Sequence, residues 1–215
     1  MGVKQVFDFH EGDAGMKSIL GGKGAHLAEM TRAGLQVPPG FTISTAACLT
    51  YFQEGLSDAL WQETLSALRR LEERKGQRLG DAQDPLLVSV RSGSVTSMPG
   101  MTHTLLNLGL NDETVQGLAR QTGNDRFAYD CYRRLLQMFG EVVLGIEAFR
   151  FEKILSRIKT ARGAETDQQL SADDLRELIG EYKSCIAARA DRPFPEDAHE
   201  QLRMAIEGVF RSWHN

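Results

Sequence analysis

The stretch Leu20-Gly21-Gly22-Lys23-Gly24-Ala25-His26-Leu27 sets three glycines around one lysine, just ahead of a helix-forming segment. Without side chains, glycines let a phosphate oxygen approach backbone N–H groups. A helix N-terminus adds a favourable partial charge, and a lysine ammonium adds a point charge. The chemistry these residues could do is phosphate binding, with Gly22, Lys23 and Gly24 as candidates. The spacing is neither a Walker A loop nor a dinucleotide fingerprint, because Leu27 stands where the latter needs its third glycine. A tight turn with an exposed lysine explains the same residues.

A second candidate is Arg91, at the end of the apolar run Leu86-Leu87-Val88-Ser89-Val90. A strand end is a rigid place from which to aim a guanidinium at phosphate oxygens. An ordinary strand-end ion pair is the plainer fate of such an arginine. Behind it runs Ser92-Gly93-Ser94-Val95-Thr96-Ser97-Met98-Pro99-Gly100, rich in Ser, Thr and Gly. That composition suits phosphate contact or plain mobility.

Other chemistry is poorly supported. His10, His26, His103, His199 and His214 show no HxxxH or HExxH spacing, so no metal site is expected. Cys48, Cys131 and Cys185 form no CxxC pair, and three cysteines do not make a disulfide framework. They read as small half-buried residues in a reducing compartment. Arg126, Arg133, Arg134, Arg150, Lys153, Arg157, Lys159 and Arg162 give the middle of the chain a basic excess. A solvated helix face is the simplest account of them, as it is of Glu72-Glu73-Arg74-Lys75.

The elements that must position these residues follow from periodicity. Val3 to Phe9 alternates like a strand, and Phe41 to Thr45 has strand composition. Gly24 to Arg32 reads as a helix closed by Gly34. Ser44 or Thr45 caps a helix to Phe52, and Ser57 to Lys75 forms a longer one stopped by Gly76. Leu86 to Val90 reads as one strand. After about Asn111 the spacing turns helical, with stripes at Phe127 to Val142, Phe151 to Ile158 and Leu175 to Ile186. Ser171 is a plausible N-cap, and Pro195 can begin a last helix bearing Leu202, Ile206, Val209, Phe210 and Trp213. The fold class expected is α+β: a mixed front portion and a helical portion.

Composition fits such a fold. The chain has 215 residues, 41% of them apolar and 25% charged, which excludes a disordered or collagen-like protein. A net charge of −4 gives no global reason to bind nucleic acid or an anionic membrane. The N-terminus lacks an apolar signal region, and no apolar run reaches the length of a membrane span. A cytoplasmic location is expected.

In order and separation these motifs resemble the start of the pyruvate phosphate dikinase family. The resembling stretches are Gly21 to Met30, Val37-Pro38-Pro39-Gly40-Phe41, Asp84 to Gly93, Ser97-Met98-Pro99-Gly100-Met101, Leu106 to Asp112, Arg126 to Asp130 and Phe210-Arg211-Ser212-Trp213. The resemblance implies an ATP-grasp-like nucleotide-binding domain. In the family, a swivelling phosphohistidine domain and a pyruvate-binding barrel follow it. ATP, phosphate and pyruvate become AMP, diphosphate and phosphoenolpyruvate through the phosphohistidine. By resemblance Lys23 and Arg91 bind the ATP phosphates, assisted by Gly22 and Gly24, and the Ser97 to Gly100 loop covers the nucleotide. Thr102-His103 replaces the family's usual Met-Asp, and His26 its usual Asn.

The same resemblance places the Mg²⁺-holding carboxylates, the phosphohistidine and the pyruvate domain outside this chain. No catalytic or metal-ligating residue is therefore expected within it, and it is expected to be incomplete and inactive alone. ATP with Mg²⁺ and the remaining domains of the enzyme are the expected partners. Residues 1–111 are expected to form a mixed lobe, 112–198 a helical lobe, and 199–215 a helix returning to the first lobe. The end near Phe210 and Trp213 is expected to have lost some cover, leaving a surface prone to self-association. The alternative is a free-standing nucleotide-binding or regulatory module without phosphotransfer.

Overall fold

The computed structural model describes residues 3–92 and 104–213, arranged as two compact units. The first unit takes its described residues from 3–76, 91–92 and 210–213; the second takes 77–90 and 104–209. These units cut across the segmentation 1–111, 112–198 and 199–215. The short strands after Gly76 group with the helices rather than with the N-terminal residues.

In the first unit, β1 (Val6–Asp8) opens the chain. It is shorter than the alternation from Val3 to Phe9 suggests, because Phe9–Glu11 turns into a 3₁₀ helix. The Glu11 carboxylate accepts from the Asp8 amide at 2.7 Å and holds that turn. Next comes α1 (Lys17–Arg32), then β2 (Phe41–Ile43), antiparallel to β1 with Val6 opposite Ile43. Helix α2 (Thr45–Glu54) is capped by Ser44, whose hydroxyl accepts from the Ala47 amide at 3.2 Å. Helix α3 (Asp58–Lys75) is capped by Ser57 and stopped by Gly76 in the left-handed conformation.

Two polar devices tie α3 to β1. The Glu63 carboxylate accepts from the Gln5 and Val6 amides at 3.0 and 2.9 Å. The buried Asp8 carboxylate takes two hydrogen bonds from Arg70 and one from Arg74. Arg74 is thus a partner of Asp8 and not merely part of a solvated helix end.

The second unit begins with β3 (Arg78–Leu79), β4 (Pro85–Leu86), β5 (Val88–Arg91) and β6 (Thr104–Leu108). Arg91, the last residue of β5, falls in the first unit. The run Leu86 to Val90 is therefore two strands. Up to Leu86 it pairs in parallel with β3, and from Val88 it pairs with β6. A change of partner breaks the strand at Leu87, and composition alone does not report partners.

Five helices follow: α4 (Thr114–Thr122), α5 (Asp125–Val142), α6 (Ala148–Arg162), α7 (Ala172–Ala190) and α8 (Ala198–Arg211). Ser171 caps α7 through a reciprocal capping box with Asp174. Pro195 lies ahead of α8 rather than within it. The core is built from Leu135, Leu136 and Phe139 of α5, Phe151 of α6 and Tyr182 of α7, all fully enclosed. Phe151 meets Tyr182 edge-on at 4.9 Å, and a Cβ at Gly140 would lie 2.3 Å from the Phe151 ring. Glycine is what lets α5 and α6 approach so closely.

Two sequence expectations need correction. Arg133 is 5% exposed and paired with Asp130 at 2.6 Å, so it is not on a solvated face. Phe210 has not lost its cover: it is 7% exposed, and its ring lies 5.2 Å from that of Tyr51 within the first unit. Trp213 is half-buried.

Candidate functional site

Helical structure begins at Lys17, earlier than the stretch Gly24 to Arg32, but it is not continuous. Gly21 has φ +70° and ψ 170°, which interrupts the helix after its first turn. Only glycine occupies that region at low cost. Gly22 and Lys23 therefore open a fresh helical segment, so N–H groups at its start lack partners one turn earlier. Beyond the break the segment is anchored. Leu20, Ala25 and Ala28 pack with Phe7 and Met16, and Gly24 lies so close to β2 that a Cβ would sit 2.8 Å from Thr42 Cγ2.

Lys23 is half-buried, and its Nζ donates to the carbonyl of Ser92 at 2.9 Å. These residues are 69 positions apart. The bond brings the glycine-rich segment to the residue next to Arg91. Burial lowers the Lys23 pKa, and the nearby Arg91 charge lowers it further. Arg91 is exposed. The Lys23 ammonium thus lies on the residue next to a second cation in the first unit. Such an arrangement favours an anion, and a phosphate can accept from both groups at once.

Gly22 and Gly24 flank the lysine at the start of the helical segment. Ser97 and Gly100 lie outside the described residues. Among the described residues no group of His, Cys, Asp and Glu is arranged to hold a metal ion. Cys48 is buried, which pushes its thiol up to about 11 and leaves it unreactive.

Sequence reasoning missed two contributors. The Ser92 carbonyl fixes the lysine, and a main-chain acceptor carries no residue-type signal. The positive φ of Gly21 separates the first helical turn from the rest, and its trace in the sequence is the Gly21-Gly22 pair, which suits a tight turn ahead of a helix. Among the described residues no helix is long and apolar enough to cross a membrane.

The family described as pyruvate phosphate dikinase, AMP/ATP-binding domain, matches residues 17–77. The chain is 52% identical over 217 residues to the chloroplastic pyruvate, phosphate dikinase of Mesembryanthemum crystallinum, covering 98% of this chain and 23% of that protein. It is 47% identical over 216 residues to the pyruvate, phosphate dikinase of Clostridium symbiosum, covering 99% of this chain and 25% of that protein. The protein of the same name from Giardia intestinalis is 51% identical over 201 residues, covering 93% of this chain and 23% of that protein. The chain thus spans about a quarter of the length of these relatives. By sequence it is a relative of the pyruvate phosphate dikinases, and its residues 17–77 carry the AMP/ATP-binding-domain pattern of that family.

Proposed function

We propose that this chain is the part of a pyruvate phosphate dikinase that holds the phosphates of ATP, within an ATP-grasp-like domain. The observation that carries the reading is the placement of Lys23 Nζ on the Ser92 carbonyl, beside the Arg91 guanidinium. Lys23 and Arg91 neutralise phosphate oxygens, while Gly22 and Gly24 keep the backbone accessible to them. By resemblance to the family, Ser97 and Gly100 are further nucleotide contacts. The full reaction converts ATP, pyruvate and phosphate into AMP, phosphoenolpyruvate and diphosphate through a phosphohistidine elsewhere in the enzyme. Mg²⁺ bound with the nucleotide would neutralise phosphate charge, and by resemblance its carboxylate ligands would lie outside this chain. The cytoplasm is the proposed location.

ATP titration by calorimetry tests the reading. Lys23→Met and Arg91→Gln each remove one charge-assisted contact, worth roughly 1.5–3 kcal/mol, so each weakens ATP binding about tenfold or more. Unchanged affinity in both variants would overturn it. The chain alone releases no AMP from ATP in the presence of pyruvate and phosphate. If it does, the placement of the catalytic groups elsewhere is wrong.

A further inference from the structure

We propose that Lys23 is a site of acylation by small acyl phosphates, a modification that switches off the anion site. The proposal rests on the anion-binding part of the reading above and not on the nucleotide. A lysine beside a second cation, and partly withdrawn from water, is the arrangement that activates an amine as a nucleophile. Lys23 meets both conditions: its Nζ lies 2.9 Å from the carbonyl of Ser92, the residue next to Arg91, and its side chain is half-buried. Its Nζ is also oriented, because one N–H is committed to the Ser92 carbonyl at 2.9 Å. The nitrogen lone pair consequently points away from that carbonyl.

An acyl phosphate is the donor this locality selects. Its phosphate carries the negative charge that Arg91 attracts, and its acyl carbon lies two bonds from the phosphorus. Docking the phosphate against the guanidinium places that carbon next to the lysine. The neutral Lys23 amine attacks the acyl carbon and forms the C–N bond. The bond between that carbon and the bridging oxygen breaks, and inorganic phosphate leaves with the electron pair. The proton lost from nitrogen passes to water. The product is an N-acyl lysine without charge, so the site loses one of its two cations and with it part of its hold on any phosphate.

Lys17, Lys75 and Lys153 are exposed lysines of the same chain and serve as internal references. Incubation of the chain with acetyl phosphate, followed by peptide mass spectrometry, gives the acetylation rate at each lysine. Lys23 is expected to react about tenfold faster than the references, the gain from one charge-assisted contact to the donor. Inorganic phosphate slows Lys23 and leaves the references unchanged. The phosphate-free ester p-nitrophenyl acetate shows a smaller preference for Lys23. Arg91→Gln, checked for folding by circular dichroism, removes the preference for acetyl phosphate. If Lys23 reacts no faster than the references, if phosphate does not compete, or if the ester shows the same preference, the proposal fails. ATP binding without preferential acylation overturns this proposal alone. Preferential acylation without ATP binding overturns the nucleotide reading alone.

Discussion

Gln201 and Gly109, 92 positions apart, are joined inside the second unit: the Gly109 amide donates to Gln201 Oε1 at 2.9 Å. The same side chain donates to the carbonyls of Leu110 at 3.0 Å and Pro195 at 2.9 Å. Gln201 is fully buried. One amide thus satisfies three backbone groups that have no water to turn to. Gln201→Leu keeps the bulk and removes all three partners. Each orphaned group costs about 1–3 kcal/mol, so a loss of roughly 3 kcal/mol or more is expected. Urea unfolding measures it. A loss under about 1 kcal/mol would mean that the backbone finds other partners.

Asp8 sets the acid sensitivity of the first unit. Burial alone would raise its pKa, but the Arg70 hydrogen bonds and the charges of Arg70, Arg74 and His10 outweigh burial and hold it low. A carboxylate depressed in the folded state contributes fully above its unfolded value of ~3.9. That contribution fades as pH falls through ~3.9 toward the folded value and is gone below it. Asp8→Asn cannot titrate. The stability gap between native chain and variant is therefore wide at neutral pH and narrows below about pH 4. Urea midpoints across this range decide it, and a constant gap would show that Asp8 is not the titrating group.

Two glycines of α1, Gly21 and Gly24, fail in different ways when given a methyl group. Gly21 sits at φ +70° and ψ 170°, so Gly21→Ala strains the backbone by about 1–3 kcal/mol whatever surrounds it. At Gly24 the backbone tolerates alanine, but its Cβ meets Thr42 Cγ2 at 2.8 Å and Oγ1 at 3.0 Å. Overpacking of this kind costs roughly 1–3 kcal/mol. Thr42→Ala removes both obstructing atoms. It should restore much of the stability lost in Gly24→Ala and none of that lost in Gly21→Ala. Equal rescue of both variants would contradict the distinction.

Local signals in the sequence were accurate where the physics is local. Ser171 caps the helix it precedes, and of the two residues offered for α2 it is Ser44 that caps, because an N-cap depends on a few neighbouring residues. The stripe Leu175, Leu178, Ile179, Tyr182 and Ile186 is buried as its spacing requires. What the sequence hid depends on partners far along the chain. The strand break at Leu87 reflects a change of partner from β3 to β6. Strand β6 leaves little trace in the sequence, since Thr104 to Leu108 neither alternates nor is rich in branched residues. Gln201 looked like any polar helix residue. Lys23 and the Ser92 carbonyl that holds it stand 69 positions apart, too far for local spacing to announce the bond.

Arg133 shows the same limit and carries the last prediction. In a basic stretch of sequence it looks like one surface charge among several. In the fold its side chain is 6% exposed, 2.6 Å from Asp130 and 3.5 Å from Asp167. Its Nε is buried without a hydrogen-bond partner. Lys159 also reaches Asp167, at 3.0 Å, and exposed Arg134 reaches Asp130 at 3.1 Å. Removing Arg133 alone leaves Asp130 largely enclosed, with only Arg134 to compensate. Breaking a buried pair from one side costs about 3–5 kcal/mol, so Arg133→Met should lie near that range, moderated by Arg134. Removing both charges is a different matter. It eliminates the desolvation of two ions and the orphaned Nε together, and apolar replacements of similar volume are often neutral or better. Arg133→Met combined with Asp130→Leu is therefore expected to recover most of the single-variant loss. Urea midpoints of native chain, single and double variants form the test. If the double variant is as unstable as the sum of the two single variants, the two residues contribute independently, and the view that each single loss comes from orphaning the partner charge is wrong.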